Sequence, residues 1–528
     1  MIQRPALSAL ARAGLLAGSA ALFHLSFPEG PGPLPGACVL VSIALLGLAL
    51  QGLTIGASAA AGLLAGLGYW LPSLGWVVSG TEAWLGFPWT LGSLMVLGLA
   101  VLHAVPYALF SGAVATLALR LERPAEALLA AGLLTVALSF SPQVVPGHFA
   151  YALLAHPLLA QVVDVGGMPL LLFFSTSIGF LAAGMLIAVS RHTLTPVAPV
   201  LLGLLVVTLL AYGSLRLDAL ERAVPEHSTR LGLVQPNIPV HVRRDDMPMA
   251  DRHNDIDTAI AQTRDLHKTD PDLDLVIWPE AAMTLQAAPQ SWGHRALAAL
   301  ADEIGVPILV NGTEHRNDPG HGTHNVALLF EPGAGLSGTY RKRKLVPFGE
   351  YLPFEAQLPW LRARLPHASR FSPGQAEQQS LTGPDGVHLA PTICFESLFA
   401  NLVRENLSGQ VGIIVNISNH AWFGSPRAAD AHRAIARARS LENRSPLVML
   451  HNTGGGAVFD AAGRVVPGSE TPQWRSTTQS IVVHTVAERP FYQRHGDRFL
   501  QGLAVLVLLA SLHRGWRRLG RSTRYAVR

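Results

Sequence analysis

Apolar positions follow two different patterns along this chain. Up to residue 215 they run nearly unbroken in stretches of about 20, the length a helix needs to cross a bilayer core. These stretches are 6–26, 34–53, 55–78, 91–119, 126–145, 168–190 and 195–214, and an eighth, FLQGLAVLVLLASLHRG, begins at Phe499. Between residues 216 and 490 the pattern changes. Short β-rich runs at 229–237, 273–280, 306–314, 325–330, 388–395, 411–419, 447–460 and 480–486 are interleaved with helical patterns near 250–267, 292–304, 396–406 and 429–443. Interleaving of that kind predicts a layered α/β domain. The predicted organisation is a membrane domain of about seven transmembrane helices over 1–215 and a folded domain over 225–490. A C-terminal transmembrane helix at 499–515 and a basic tail at 516–528 complete it.

Charge placement orients this plan. Arg4 precedes the first span, Arg120 and Arg123 follow the fourth, Arg191 follows the sixth, and the tail HRGWRRLGRSTRYAVR is strongly basic. The loops after spans one, three and five carry neither Lys nor Arg. Because cytoplasmic loops are enriched in basic residues, both termini are expected inside and the folded domain outside. Arg216 and Arg222 run against this, but large translocated domains respond weakly to charge. The first apolar run is read as a retained span rather than a cleaved leader, because more spans follow at once. A net charge of +4 from scattered basic residues does not argue for nucleic acid. Glu82, His148, His156 and Asp164 are expected in solvated outer loops, and Trp70, Trp76, Trp84 and Trp89 in an interfacial belt.

Few residues carry candidate chemistry. There are two cysteines, Cys38 inside an apolar run and Cys394 in LAPTICFESLFA, and no disulfide is expected between them. Cys394 ends a strand-like run where a helical pattern begins, so a helix N-terminus is expected to lower its thiol pKa. WPE ends another buried run with Glu280. TYRKRKLVPFGEYLP places Lys342 after a strand and Glu350 eight residues later. Lys268, Lys342 and Lys344 are the only lysines among 39 basic residues. A thiolate nucleophile, a carboxylate to move its proton and an ammonium to stabilise an oxyanion form one consistent set. A Cys/His pair drawing on His420, His432 or His451 is the rival. No metal site is expected. HRNDPGHGTHN reads as a polar loop, and neither HExxH nor paired CxxC occurs. The Gly- and Pro-rich stretch 347–379 reads as a lid or binding loop.

These residues carry a family resemblance. LVQPNIP, WPE, YRKRKLVPFGEYLP, FSPG, ICFES, NISNHAWFG, RARSLENRSP, NTGGGAVFDAAGRV and YQRHGDRF occur in that order. The chain thereby resembles the apolipoprotein N-acyltransferases, the membrane-bound branch of the nitrilase (carbon-nitrogen hydrolase) superfamily. The resemblance implies an α-helical membrane domain joined to a nitrilase-like αββα sandwich that is the periplasmic catalytic domain. It makes Glu280 the general base, Lys342 the oxyanion stabiliser and Cys394 the nucleophile, with Glu350, Asn325, Glu396 and Phe395 in support. Trp422 and Phe423 would belong to the loop bordering the site. The implied reaction moves an acyl chain from a membrane phospholipid to Cys394 as a thioester, then to the N-terminal amine of a diacylglyceryl apolipoprotein. No cofactor, no metal and no nucleic acid is implied, and a monomer in the bacterial inner membrane is. Departures are His420 for the usual Asp, Phe395 for Tyr, Gly456 for Ser, RRDDMP for a Lys-Trp pair, and a missing GFPW before span six. They leave a paralogue with another amine acceptor, or a membrane-anchored amidohydrolase, as alternatives.

Overall fold

The computed structural model describes residues 7–27, 34–85, 88–238, 249–280, 287–315, 322–365, 369–423 and 425–526. The chain divides into a helical unit, Met1–Gly75 with Ser93–Glu221 and Arg494–Arg528, and a second unit, Trp76–Gly92 with Arg222–Gln493.

Each of the eight expected spans contains a helix. Five are long and apolar enough to cross a membrane: Ile55–Ser73, Trp89–Thr116, Val163–Ser190, Val197–Arg222 and Arg498–Arg518. The apolar helices Ala9–Leu25, Pro35–Leu50 and Pro124–Phe140 are shorter than the expected runs. Small polar residues lock the helices together, as is usual where lipid removes the hydrophobic drive between helices. Ser19 Oγ, for example, meets Tyr69 Oη at 2.7 Å and Ser42 Oγ at 3.1 Å. Gly166 and Gly167 break the helical dihedrals inside Val163–Ser190, and Gly167 has φ +65°. The break sets the start of the predicted 168–190 span.

Two loop expectations are corrected here. Asp164 is buried rather than solvated, because Arg216 Nε donates to it at 2.9 Å and Tyr212 Oη at 2.6 Å. His148 is buried against the Tyr151 ring. Glu82 is exposed as expected. The tryptophan belt also breaks up. Trp70 is buried in a stack on His103, while Trp89 is exposed. Trp76 starts a separate helix, Trp76–Leu85, in the second unit. The Trp84 side chain lies outside the described residues.

The second unit holds two sheets. The first has six strands, ordered β11(Thr477–Val486), β1(Pro225–Gln235), β2(Leu275–Ile277), β3(Ile308–His315), β4(Thr323–Glu331) and β5(Gly335–Arg341). The second has five, ordered β10(Ala457–Phe459), β9(Leu447–His451), β8(Gly412–Ser418), β7(His388–Ile393) and β6(Leu381–Thr382). Alternate residues of each strand serve different cores. On β3, Ile308 and Val310 face the helices Met249–Thr269 and Trp292–Ile304, while Leu309 faces the other sheet. On β9, Leu447 and Met449 pack with Val403 and Ala436, while Val448 and Leu450 join the inter-sheet core. Strands buried on both faces read as continuous apolar runs, which is why their positions were visible in the chain. The layers are helix, sheet, sheet, helix.

Several boundaries differ from expectation. The run 447–460 is two antiparallel strands, because Gly454 and Gly455 take φ +89° and +77° and turn the chain back. β5, GLSGTYR, the strand expected before Lys342, had no predicted bounds because it is a half-exposed edge strand with little apolar pattern. The 396–406 helix is a short 3₁₀ turn, Cys394–Leu398, followed by a helix from Ala400. A Cβ on Gly456 would lie 2.4 Å from Met449 O, across the β9–β10 pair. Replacing it by the family's serine, Gly456→Ser, should lower stability by about 1–3 kcal/mol through overpacking. Thermal unfolding of the detergent-solubilised protein measures this.

Candidate active site

The functional side chains sit just past strand ends, all on the second unit. Glu280 follows β2 by three residues, Lys342 follows β5 directly, Cys394 follows β7 and Asn419 follows β8. Pairing Ile393 with Ile417 and Ser418 with His451 brings the carboxyl ends of parallel β7, β8 and β9 level. Carboxyl ends of parallel strands are where α/β sheets place their sites.

Cys394 has φ +54°, a left-handed conformation unfavourable for a residue with a Cβ. Hydrogen bonds hold it there. Asn416 Nδ2 donates to Cys394 O at 3.0 Å, and Ile393 N donates to Glu396 Oε2 at 2.8 Å. The strained turn lifts the thiol off the strand. Burial pushes the thiol up to about 12, and Glu280 adds to this, while Lys342 and Ser418 oppose it. The expected lowering by a helix N-terminus is therefore corrected. The turn after Cys394 is too short to carry a strong dipole, and desolvation outweighs it.

The Lys342 ammonium is 1% exposed. It donates to Glu350 Oε1 at 2.8 Å and lies 3.8 Å from Glu280 Oε1. Burial works against its charge, yet Glu350 and Glu280 hold its pKa above the ordinary lysine value. Asn325 Nδ2 donates to Glu280 Oε1 and to Glu350 Oε1, both at 3.0 Å, and its own carbonyl accepts from Asn311 at 2.7 Å. Glu280 Oε2 also accepts the Asn419 N–H at 3.2 Å. Burial raises the Glu280 carboxyl above its usual range, against the pull of Lys342. A carboxylate with raised basicity beside a protonated thiol suits general-base work. Lys344, the alternative lysine, is exposed and lies over the Phe399 ring at 4.9 Å.

Glu396 is fully buried and ties the two loops together. Its carboxylate accepts from Ile393 N beside the cysteine, from Arg343 N at 2.6 Å and Lys344 N at 2.9 Å beside the lysine, and from the Tyr340 hydroxyl. It touches neither Lys342 Nζ nor the thiol in any hydrogen bond found among the described residues, so it positions both. Phe395 is half-buried edge-on to Phe399, ring centroids 4.9 Å apart. Phe423 packs edge-on to Trp76 at 4.9 Å. The Trp422 side chain lies outside the described residues.

The rival histidines form a group of their own. His432 Nε2 meets Ser397 Oγ at 2.6 Å, His420 Nε2 meets His432 Nδ1 at 2.9 Å, and His451 Nδ1 meets Gly454 O at 3.3 Å. Sequence reasoning missed Asn311, Asn416 and Asn419. The NISN motif lay in view, but only the fold aims its side chains and amides inward.

Residues 230–488 match the family model for carbon-nitrogen hydrolases, so the fold and this site define a carbon-nitrogen hydrolase-type domain on a helical membrane-type unit. Apolipoprotein N-acyltransferase of Geobacter metallireducens is 29% identical over 516 residues, covering 93% of this chain and 94% of that protein. Its counterpart in Rhizobium rhizogenes is 31% identical over 434 residues, covering 76% of each. A carbon-nitrogen hydrolase structure from Helicobacter pylori G27 is 16% identical with a TM-score of 0.36, covering 49% of this chain and 89% of that one. The chain belongs to the apolipoprotein N-acyltransferase family.

Two outcomes follow from the geometry. Because the thiol is held above the ordinary cysteine range, iodoacetamide should label Cys394 more slowly than a free cysteine at neutral pH. The labelling rate should keep rising through the alkaline range where a free cysteine levels off, as read by mass spectrometry. Glu396→Ala leaves three backbone N–H groups and a phenol without their acceptor. At about 1–3 kcal/mol per orphaned buried group, it should cost about 3 kcal/mol or more in unfolding experiments.

Proposed function

We propose that this chain transfers an acyl chain from a membrane phospholipid, through a Cys394 thioester, to the N-terminal amine of the diacylglyceryl cysteine of an apolipoprotein. The observation that carries this reading is the meeting of Glu280, Lys342 and Cys394 at neighbouring strand ends in a chain of this family. Glu280 takes the thiol proton as Sγ attacks the acyl ester carbon, and Lys342 stabilises the oxyanion that forms. Glu280 then returns the proton to the departing glycerol oxygen, giving a thioester and a lysophospholipid. In the second half the α-amine attacks the thioester carbon, Glu280 accepts the amine proton and passes it to the leaving sulfur, and the thiol is restored. Splitting the transfer this way replaces one difficult step with two easier ones. Glu350 and Asn325 hold the charge pattern that makes both halves possible.

The reading extends to topology. Arg514 donates to Glu126 at 2.8 Å and to Leu117 O at 2.7 Å, and Arg191 donates to Glu122 at 2.6 Å. The basic residues following the fourth and sixth spans and those of the C-terminal helix therefore gather at one end of the helical unit. That supports a cytoplasmic location for this end and a periplasmic one for the catalytic domain, in the bacterial inner membrane. Both lipid substrates would reach the domain from the bilayer, and the chain would act without a cofactor, as a monomer.

The test uses purified full-length protein with labelled phosphatidylethanolamine and a diacylglyceryl-cysteine peptide. Wild type is expected to form an acyl-protein thioester and N-acylated peptide. Cys394→Ala should abolish both, while Lys342→Met and Glu280→Gln should each reduce turnover by about 10²-fold or more. Peptide acylation by Cys394→Ala would overturn the mechanism. Hydrolysis of small amides with no lipid thioester would favour an amidohydrolase instead.

A further inference from the structure

We propose that His420, His432 and His451 form a buried site for a zinc-class divalent transition-metal ion behind the nucleophile turn. Each of the three rings offers one nitrogen to a set whose members lie within 4.8 Å of one another. The residues come from three elements: the turn after β8, the helix Pro426–Asn443, and the last residue of β9. All three are buried, at 5%, 7% and 0% exposure.

The hydrogen bonds decide which nitrogens are free to bind. His451 Nδ1–H donates to Gly454 O, which leaves Nε2 carrying the lone pair, and that atom is buried without a partner. When His432 Nε2–H donates to Ser397 Oγ, its Nδ1 lone pair faces His420 Nε2. His420 Nδ1 is also buried without a partner; moving the ring proton there frees Nε2 and gives up the His420–His432 hydrogen bond, which bonds to the ion replace. The convergent set is then His420 Nε2, His432 Nδ1 and His451 Nε2. Outward N–H groups held by a carbonyl or hydroxyl are what fix and orient metal-binding imidazoles. A bound ion also gives the orphaned His451 nitrogen a partner.

The chemistry of the set selects the ion. Three neutral imidazoles with an open fourth position suit zinc and its neighbours, and exclude calcium and magnesium, which demand oxygen. All three rings are buried, which disfavours the charged imidazolium and leaves lone pairs to donate. With bonds of about 2.0–2.1 Å, tetrahedral nitrogens stand roughly 3.3 Å apart. The 2.9 Å His420–His432 pair therefore has to open slightly and the widest pair to close. The charge of Lys342 reaches His432 and opposes a cation. Glu280 and Glu350 flank that ammonium and offset it. The ion would clamp the loop carrying Phe423, and through Ser397 it would brace the turn that holds Cys394. The site stands whether or not the acyl-transfer reading does.

Full-length protein in detergent, stripped with a chelator, is titrated with ZnCl₂ by calorimetry and with CoCl₂ by absorption. One equivalent per chain is expected, with a raised unfolding temperature and the visible bands of four-coordinate cobalt. His451→Asn and His420→Asn should lose the high-affinity equivalent, whereas His484→Asn, on an exposed strand position, should keep it. Should the histidine variants misfold, wild type with Cys394 alkylated by iodoacetamide serves in their place and should still bind one equivalent. A near-ultraviolet thiolate-to-cobalt band that alkylation removes would move the metal to Cys394 and overturn the proposal. So would an absence of saturable uptake by wild type.

Discussion

An isolated ammonium cannot be taken out of water without a large penalty, so a lysine at 1% exposure dictates what surrounds it. Lys342 is met by Glu350 at 2.8 Å and Glu280 at 3.8 Å, and Asn325 donates to both carboxylates at once. Two carboxylates so close would repel each other without the ammonium, and the ammonium would lose its proton without them. Neither arrangement is stable alone. The loops after β2 and β5 are therefore bound to each other by charge rather than by packing. Removing one member leaves an uncompensated buried charge, so the effects of single substitutions here do not add.

The same field sets the protonation of Cys394. A thiolate added to this cluster would lie beside Glu280 in a desolvated setting, and the thiol consequently keeps its proton at rest. Glu280, whose carboxyl pKa is raised by burial, is the group placed to accept that proton. Glu396 supplies the geometry. By accepting from backbone groups on both the cysteine and lysine loops, it turns two separately folded turns into one rigid unit.

Much of this was legible in the chain because both patterns are set by burial. Spans show as runs of membrane length, and strands covered on both faces show as shorter ones. Glu280 and Cys394 stood out because each is a chemically active residue ending an apolar run, and Lys342 because lysine is rare in this chain. What stayed hidden depends on neighbours distant in sequence. Asp164 looked like a loop residue until Arg216, 52 positions on, was brought against it. Trp76 looked interfacial, but it packs on Phe423 across the fold of the second unit. β5 lacked an apolar pattern because its outer face is half-exposed. The direction of the thiol pKa could not be read from a strand-to-helix boundary, because desolvation is a property of the assembled site.

The departures from the family pattern make sense together once placed in space. His420 lies in the turn after β8, Gly456 directly precedes β10, and Phe395 sits within the Cys394 turn. None of these three is a member of the Glu280–Lys342–Cys394 set, and they lie around the ends of β7, β8 and β9, while RRDDMP lies outside the described residues. Two of them are coupled to local requirements. Gly456 leaves no room for a Cβ against Met449 O, and His420 exchanges a hydrogen bond with His432, which in turn meets Ser397. An aspartate at position 420 would place a buried charge among two neutral imidazoles, so the histidine there and the histidine at 451 form one neutral neighbourhood. The wall behind the cysteine is thus built from side chains separate from Glu280 and Lys342. That wall sets how the Cys394 turn is braced through Ser397 without touching the Glu280–Lys342 charge cluster.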